Sequence, residues 1–332
     1  MKPIFKIEAD DQDITDLLTT RLISLNISDE TGFASDKAEI LLDNRDHVLD
    51  IPARGTLLKI YLGYQGRALD SDNKLSFMGS FTVDNISLSS PGQLRIVAKA
   101  SYAKSKGLSN KIRSPKSKSW HKTNLGFIIQ RIAFDNKFIA LTDPYFSQIY
   151  IPHIDQTSQS DLSFLVDLAQ NHDALFKFID GKLVFARKST GISVTGKLIA
   201  TIQILENQIS SWKLDILDRA KFGKIIAKYQ NIETAKEKKV TIGNEEPAYE
   251  MRFTFPNEEI ATNSAKAKLA QQSRGVSQIE LTIVGNPKLS TEGKISIPDI
   301  RYLKDSQWII TSITHDLSSQ GYKSTIRATD KI

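Results

Sequence analysis

Two segments more than 200 residues apart follow one pattern. Phe81-Thr82-Val83 leads through Ile86 to Leu88-Ser89-Ser90-Pro91-Gly92, then to Leu94, Ile96 and Ala98. Trp308-Ile309-Ile310 leads through Ile313 to Leu317-Ser318-Ser319-Gln320-Gly321, then to Tyr322, Ile326 and Ala328. Each reads as an alternating strand, a Ser-Ser-x-Gly turn and a second alternating strand, with two extra residues before the second turn. Turn residues between apolar positions of period two are what a β-hairpin requires. A hairpin that recurs near the end of each half predicts one β-domain used twice, with Leu88 and Leu317 as counterparts.

The first hundred residues extend this pattern. Leu25 and Ile27 follow Ile23 in alternation, as do Ala38, Ile40 and Leu42, and then Leu58, Ile60 and Leu62. Each set gives a strand one apolar face. Glu30-Thr31-Gly32, Asp43-Asn44-Arg45-Asp46 and Pro52-Ala53-Arg54-Gly55 supply turns between them. Short strands at this spacing predict an antiparallel barrel or sandwich, with one helical turn near Ile14 to Leu18.

The pattern changes after Tyr102. Lys104, Lys106, Lys111, Arg113, Lys116, Lys118 and Lys122 run without an intervening acid. Gly107, Ser109, Ser114, Pro115 and Ser117 lie among them, so the stretch reads as a solvated basic connector. The other reading is a surface for phosphate backbones. It lacks the interleaved aromatic platforms of a single-strand binder, since Trp120 only follows the charges.

Leu125, Ile128, Ile129, Ile132 and Ala133 then mark an amphipathic helix, and a second begins at Ser160 or Asp161 with Leu162, Leu165, Leu168 and Ala169 as its stripe. Ala174 to Ile179 and Lys182 to Ala186 flank Asp180-Gly181, a two-residue hairpin turn. Strands return as Ser210 to Leu217, Lys224 to Gln230, Tyr249 to Phe255, Ser277 to Val284, Trp308 to Leu317 and Tyr322 to Thr329. One helix interrupts them, capped by Asn257 and stopped at Arg274-Gly275. The expected division is a first β-barrel over 1–104, an α+β insertion with its basic connector over 105–190, and a second β-barrel over 191–332 with a helix at about 257–274.

Composition narrows the chemistry. With no cysteine in 332 residues, disulfides, iron–sulfur clusters, cysteine zinc sites and thiol nucleophiles are excluded. The N-terminus, Met1-Lys2-Pro3-Ile4-Phe5, reads as a first strand rather than a secretory signal, and no apolar run reaches the roughly 20 residues of a membrane helix. Neither a phosphate-cradling glycine loop nor a nucleophile elbow is present. His47, His121, His153, His172 and His315 are scattered. His153 with Asp155 and His172 with Asp173 are conceivable ligand or acid–base pairs, and each reads more simply as a turn or surface residue; carboxylates are plentiful, and nothing in the sequence singles out a glycosidase pair among them. No catalytic, cofactor-binding or metal-binding residue is assigned, and no cofactor is expected.

Several stretches in order along the chain are similar to the phage late control gene D protein family, the hub proteins of contractile tails. They are Asp43-Asn44-Arg45-Asp46 followed by Gly55 to Gly63-Tyr64, then Met78-Gly79-Ser80-Phe81-Thr82-Val83-Asp84. Lys118-Ser119-Trp120-His121 comes next, with Thr123 and Leu125, followed by Ile151-Pro152-His153-Ile154-Asp155-Gln156-Thr157 with Ser160-Asp161-Leu162. The last are Phe178-Ile179-Asp180-Gly181-Lys182-Leu183 and Leu269 to Gly275. The family also resembles the hub portion of VgrG spike proteins.

The resemblance implies a mainly β fold in which two related β-barrels are joined through a small α+β domain. It further implies a homotrimer whose six barrels make a pseudo-sixfold ring between a hexameric tail tube and a trimeric spike. Tape-measure and other baseplate components are further expected partners. With no needle-like or lysozyme-like extension, the chain resembles a bare hub whose spike is a separate protein, assembled in a bacterial cytoplasm and carried in a phage or tail-like particle. A nucleic-acid-binding late-gene regulator and a tail-associated cell-wall hydrolase are the alternatives. No recognition-helix motif supports sequence-specific DNA reading.

Overall fold

The computed structural model describes residues 2–32, 36–66, 74–100, 108–179, 181–188, 199–216, 222–231, 234–273, 277–304 and 306–330. The N-terminal third contributes β1 (Pro3–Ala9), β2 (Gln12–Asp13), α1 (Thr15–Thr19), β3 (Leu22–Glu30), β4 (Lys37–Asp43), β5 (Leu57–Tyr64), β6 (Lys74–Ser89) and β7 (Gln93–Ala100). Alternation places Leu25, Ile27, Ala38, Ile40, Leu42, Leu58, Ile60 and Leu62 in one core, while Ile23 sits at a bulge and faces outward.

The middle of the chain forms α2 (Leu108–Arg113), β8 (Pro115–Asn124), α3 (Leu125–Asp135), β9 (Ile139–Thr142), α4 (Pro144–Ser147), β10 (Tyr150–Ser160), α5 (Asp161–Asn171), β11 (Ala174–Ile179) and β12 (Lys182–Arg187). Asn124 caps α3 by accepting from the Phe127 amide at 2.7 Å, and Ser160 caps α5 by accepting from the Ser163 amide at 3.1 Å. Both helices bury their apolar stripes against β9, β11 and β12 in a second core. Ile179 pairs with Lys182 across a two-residue turn; of that turn Gly181, with φ +72°, is described, and Asp180 lies outside the described residues.

The basic stretch differs from a solvated connector over its described part. Pro115 to Asn124 is a strand paired along its length with β10, and Trp120 is buried in the insertion core. Its cations have local partners: Lys116 with the buried Asp161, and Lys118 with Asp135 at 3.6 Å and over the Trp120 ring at 3.9 Å. Lys111 donates to the Asp135 carbonyl at 2.7 Å. Lys104 and Lys106 lie outside the described residues.

The remaining elements are β13 (Thr201–Gln203), β14 (Ile209–Ile216), β15 (Lys224–Asn231), β16 (Lys236–Ile242), β17 (Ala248–Phe255), α6 (Glu258–Ser273), β18 (Ser277–Val284), β19 (Lys294–Ser296), β20 (Trp308–Ser318) and β21 (Gly321–Asp330). Asn257 caps α6, accepting from the Ile260 amide at 2.9 Å. The expected stop at Arg274-Gly275 lies outside the described residues. β15, β16 and β17 leave the main sheet and form their own, packed on α6 through Ile225, Ala227, Ala261 and Ala265.

β1 to β7, β13, β14 and β18 to β21 share one 13-stranded sheet, running β14-β18-β21-β20-β3-β4-β7-β6-β5-β1-β2, with β19 and β13 continuing from the start of β20. Among the described residues no closed barrel forms; the molecule is mainly β, its strands in open sheets.

That order contains one unit twice. β3-β4-β7-β6-β5 and β14-β18-β21-β20-β19 have the same connectivity, and their irregularities coincide. β3 is bulged between Leu22 and Ser24 against β4, as β14 is between Ile209 and Ser211 against β18. β6 is bulged between Val83 and Asn85 against β7, as β20 is between Ile310 and Ser312 against β21. Bulges are specific local features that chance seldom places twice in one register.

Counting from the bulge corrects the expected hairpin alignment. Ile86 and Ile313 are counterparts, as are Ile96 and Ile326, and Ala98 and Ala328. Leu88, however, corresponds to His315 rather than Leu317. The second hairpin is longer by two residues in each arm, so Leu317 and Tyr322 have no counterpart.

Candidate assembly interface

The two units meet along a seam of main-chain pairing. Ser312 to Ser318 of β20 lies antiparallel to Ser24 to Glu30 of β3, with Leu317 opposite Leu25 and His315 opposite Ile27. The long tip of the second hairpin thereby buries Leu317 and Tyr322 in the core of the first unit. Tyr64 donates to the Gly285 carbonyl at 2.7 Å, its ring 5.7 Å from that of Tyr322.

His315 belongs to this seam. Its Nδ1 lies 2.9 Å from the Tyr322 hydroxyl and 3.0 Å from Ser324 Oγ, and burial pulls its pKa down to about 4. The imidazole is therefore neutral near pH 7 and acts as a structural linker.

Asp29 ties three elements together. It accepts from Lys177 of β11 and from both the amide and the hydroxyl of Thr291, each at 3.0 Å. Lys177 is 9% exposed and also reaches Asp36 at 2.8 Å. Burial, with the like charge of Asp29 beside it, pushes the Asp36 carboxyl up to about 6. This joint has no local signature, because Asp29, Asp36, Lys177 and Thr291 are separated along the chain.

The histidine pairs behave as packing. His153 Nε2 contacts Asp155 at 3.0 Å, and its Nδ1 meets His121 Nδ1 at 2.9 Å across the β8–β10 ladder, the rings stacked 4.5 Å apart. Asp155 is held below the usual carboxylate range first by Ser119 and then by His153. Cross-strand pairing brought in His121, which sequence spacing hid. His172 closes α5, and burial lowers its pKa to about 4. Among the described residues no cluster of three or more His, Asp or Glu side chains is arranged to hold a metal ion.

Both ends of the repeated unit carry bare strand edges. Among the described residues, β14 has β18 on one side and no strand on the other, and β6 beyond Val83 pairs only with β7. These edges expose apolar side chains: Leu88 is 56% exposed, Ile216 72% and Trp212 42%. Unpaired edges of this kind are ready-made templates for another strand.

The chain has relatives in sequence and in fold among phage tail proteins. No protein-family model matches the chain. The probable baseplate hub protein of Escherichia phage 186 is 28% identical, over 97% of this chain and 91% of that protein. Its counterpart from Escherichia phage P2 is 26% identical, over 98% and 92% respectively. Over nearly its whole length the chain is similar to the baseplate hub proteins of these P2-like phages.

Solved structures agree at the level of fold. The tail protein of Neisseria meningitidis MC58 superposes with a TM-score of 0.71 at 10% identity, over 99% of this chain and 97% of that one. The E. coli c3393 protein, a component of the type VI secretion system, gives 0.53 at 10% identity, over 100% and 77%. The likeness to these structures is one of fold, at 10% sequence identity.

Proposed function

We propose that this structural baseplate hub protein assembles as a homotrimer. Its six related sheet units would form a pseudo-sixfold ring that accepts a hexameric tail tube on one side and a trimeric spike on the other. The observation that carries this reading is the duplication within one chain: the strand order β3-β4-β7-β6-β5 repeats as β14-β18-β21-β20-β19, and the copies join edge to edge. Three chains then offer six similar units in two alternating versions. Closing a ring also covers edges that otherwise invite uncontrolled pairing.

The finer division follows the earlier boundaries. Residues 1–104 and 191–332 form the two ring-building domains, and 105–190 the α+β insertion. The working site of the protein is its interfaces, with no residue assigned to catalysis. The expected partners are the tube protein, the central spike and neighbouring baseplate components, in the setting of a phage or tail-like particle.

Native mass measurement and averaged images of tail tips carrying this chain test the proposal. Three copies per tip with six projecting units are expected. Six copies in identical environments would sink the trimer, and peptidoglycan degradation abolished by changing one carboxylate would sink the non-enzymatic role.

A further inference from the structure

We infer that the free edge of β6, Asn85 to Ser89, pairs antiparallel with β14 of a second copy of this chain, with Leu88 opposite Leu214 and Ile86 opposite Ile216. The inference rests on the ring reading and gives its inter-chain joint a register.

The chain supplies the template itself. Its internal seam joins β20 to β3, and the bulges make β6 the counterpart of β20 and β14 the counterpart of β3. Counting from the bulges, Ile313 and His315 correspond to Ile86 and Leu88. Leu25, Ile27 and Asp29 correspond to Trp212, Leu214 and Ile216. Within the chain, Ile313 faces Asp29 and His315 faces Ile27. Carrying that register across gives the two pairs named above.

Burial supports a second copy as the occupant. Ile313, His315, Leu25 and Ile27 lie on one face of the internal seam, and all are buried. Their counterparts at the open edges share a face by the same period-two rule, and every one is apolar. In the single chain Leu88 and Trp212 are exposed and Ile86 and Leu214 only partly buried, and Ile216, the counterpart of Asp29, is 72% exposed. Pairing the edges would continue one buried apolar row from unit to unit.

Trp212 fits the one place where the seams must differ. Its counterpart Leu25 packs opposite Leu317, which the shorter first hairpin lacks. A larger indole at that position fills the room left by the missing leucine. The two edges are different surfaces, so the contact is head-to-tail, as ring closure requires.

The absence of cysteine makes the test direct. Full-length L88C and L214C proteins are mixed at high concentration under mild oxidation, with L88C and D215C as the neighbouring-register control. Mass is measured in parallel by sedimentation. Disulfide formation demands closely apposed Cβ atoms, so the 88–214 cross-link is expected at about ten times the yield of 88–215. I216K, at an exposed position, is expected to melt as the parent does yet shift trimer to monomer.

A trimer that forms without the 88–214 cross-link, or with I216K assembling as well as the parent, would overturn this seam while leaving the ring reading intact. A chain that stays monomeric at every concentration and on assembled tails, with no cross-link, would overturn both.

Discussion

Lys177 of the insertion and Asp29 of β3 form a partly buried ion pair 148 residues apart in sequence, and that pair fastens the α+β insertion to the seam between the repeated units. Asp36 shares the same ammonium. The geometry makes Lys177 a shared counter-charge for two carboxylates that repel each other.

Replacing Lys177 with Met should therefore cost more than an exposed ion pair would. Removing one partner of a buried pair leaves the other uncompensated, a loss of about 3 kcal/mol. Adding Asp36→Asn should recover part of it by removing the second carboxylate. Denaturant unfolding of the three proteins checks both statements; equal midpoints for parent and K177M would refute the first.

Acid should loosen the seam. His315 and His172 have folded pKa values near 4, below the ordinary histidine value, so their contribution is complete above about pH 6.5 and is lost as pH falls toward 4. Asp36 works in the opposite sense. Its folded pKa near 6 lies above the ordinary 3.8, so its contribution is complete below 3.8 and is lost as pH rises through 6. In the parent the trends offset each other between pH 4 and 6. Asp36→Asn should thus steepen the acid loss, and His315→Gln should shallow it. Hydrogen exchange of β20 against pH reads both slopes.

Gly285 is a tight point in the seam. A Cβ there would lie 2.2 Å from the Tyr322 ring, and the ring is enclosed by the first unit. Gly285→Ala should destabilise the protein by about 1–3 kcal/mol through overpacking. The loss should appear in exchange of β3 and β20 before the insertion. A protein as stable as the parent would show that Tyr322 can swing aside.

Gly181 tests the insertion by itself. Its φ of +72° is costly for a β-branched residue. Gly181→Val should lower protection of β11 and β12 while the main sheet keeps its own. Uniform loss along the chain would argue that the insertion core has no independent stability.

Local patterning carried much of this architecture. Alternation at Ala38, Ile40 and Leu42 named a strand because one buried face needs nothing beyond period two, and Ser160 and Asn257 announced helix starts by side-chain chemistry. Trp308-Ile309-Ile310 was rightly set against Phe81-Thr82-Val83. What stayed hidden depends on strand partners. β8 reads as a connector because its Lys and Ser residues lie on an exposed face, and only its pairing with β10 makes it a strand. β16 was missed for a similar reason: Lys236, Lys238 and Lys239 mask a strand held by β15. The Leu88–Leu317 match failed because Leu-Ser-Ser repeats at both tips, whereas the structural frame is counted from bulges that leave no trace in residue type.

The hairpins differ in length as well as in sequence. From bulge to tip, β6 and β7 make five residue pairs, whereas β20 and β21 make seven. At a rise of about 3.4 Å per residue, two more pairs lift a tip by roughly 7 Å. In the three-chain ring proposed above, high and low merlons would alternate like a crenellated parapet. The walls below would look alike every 60°, while the skyline would repeat only every 120°. A guest of lower symmetry could then find its angular setting from height alone, before any side chain is read.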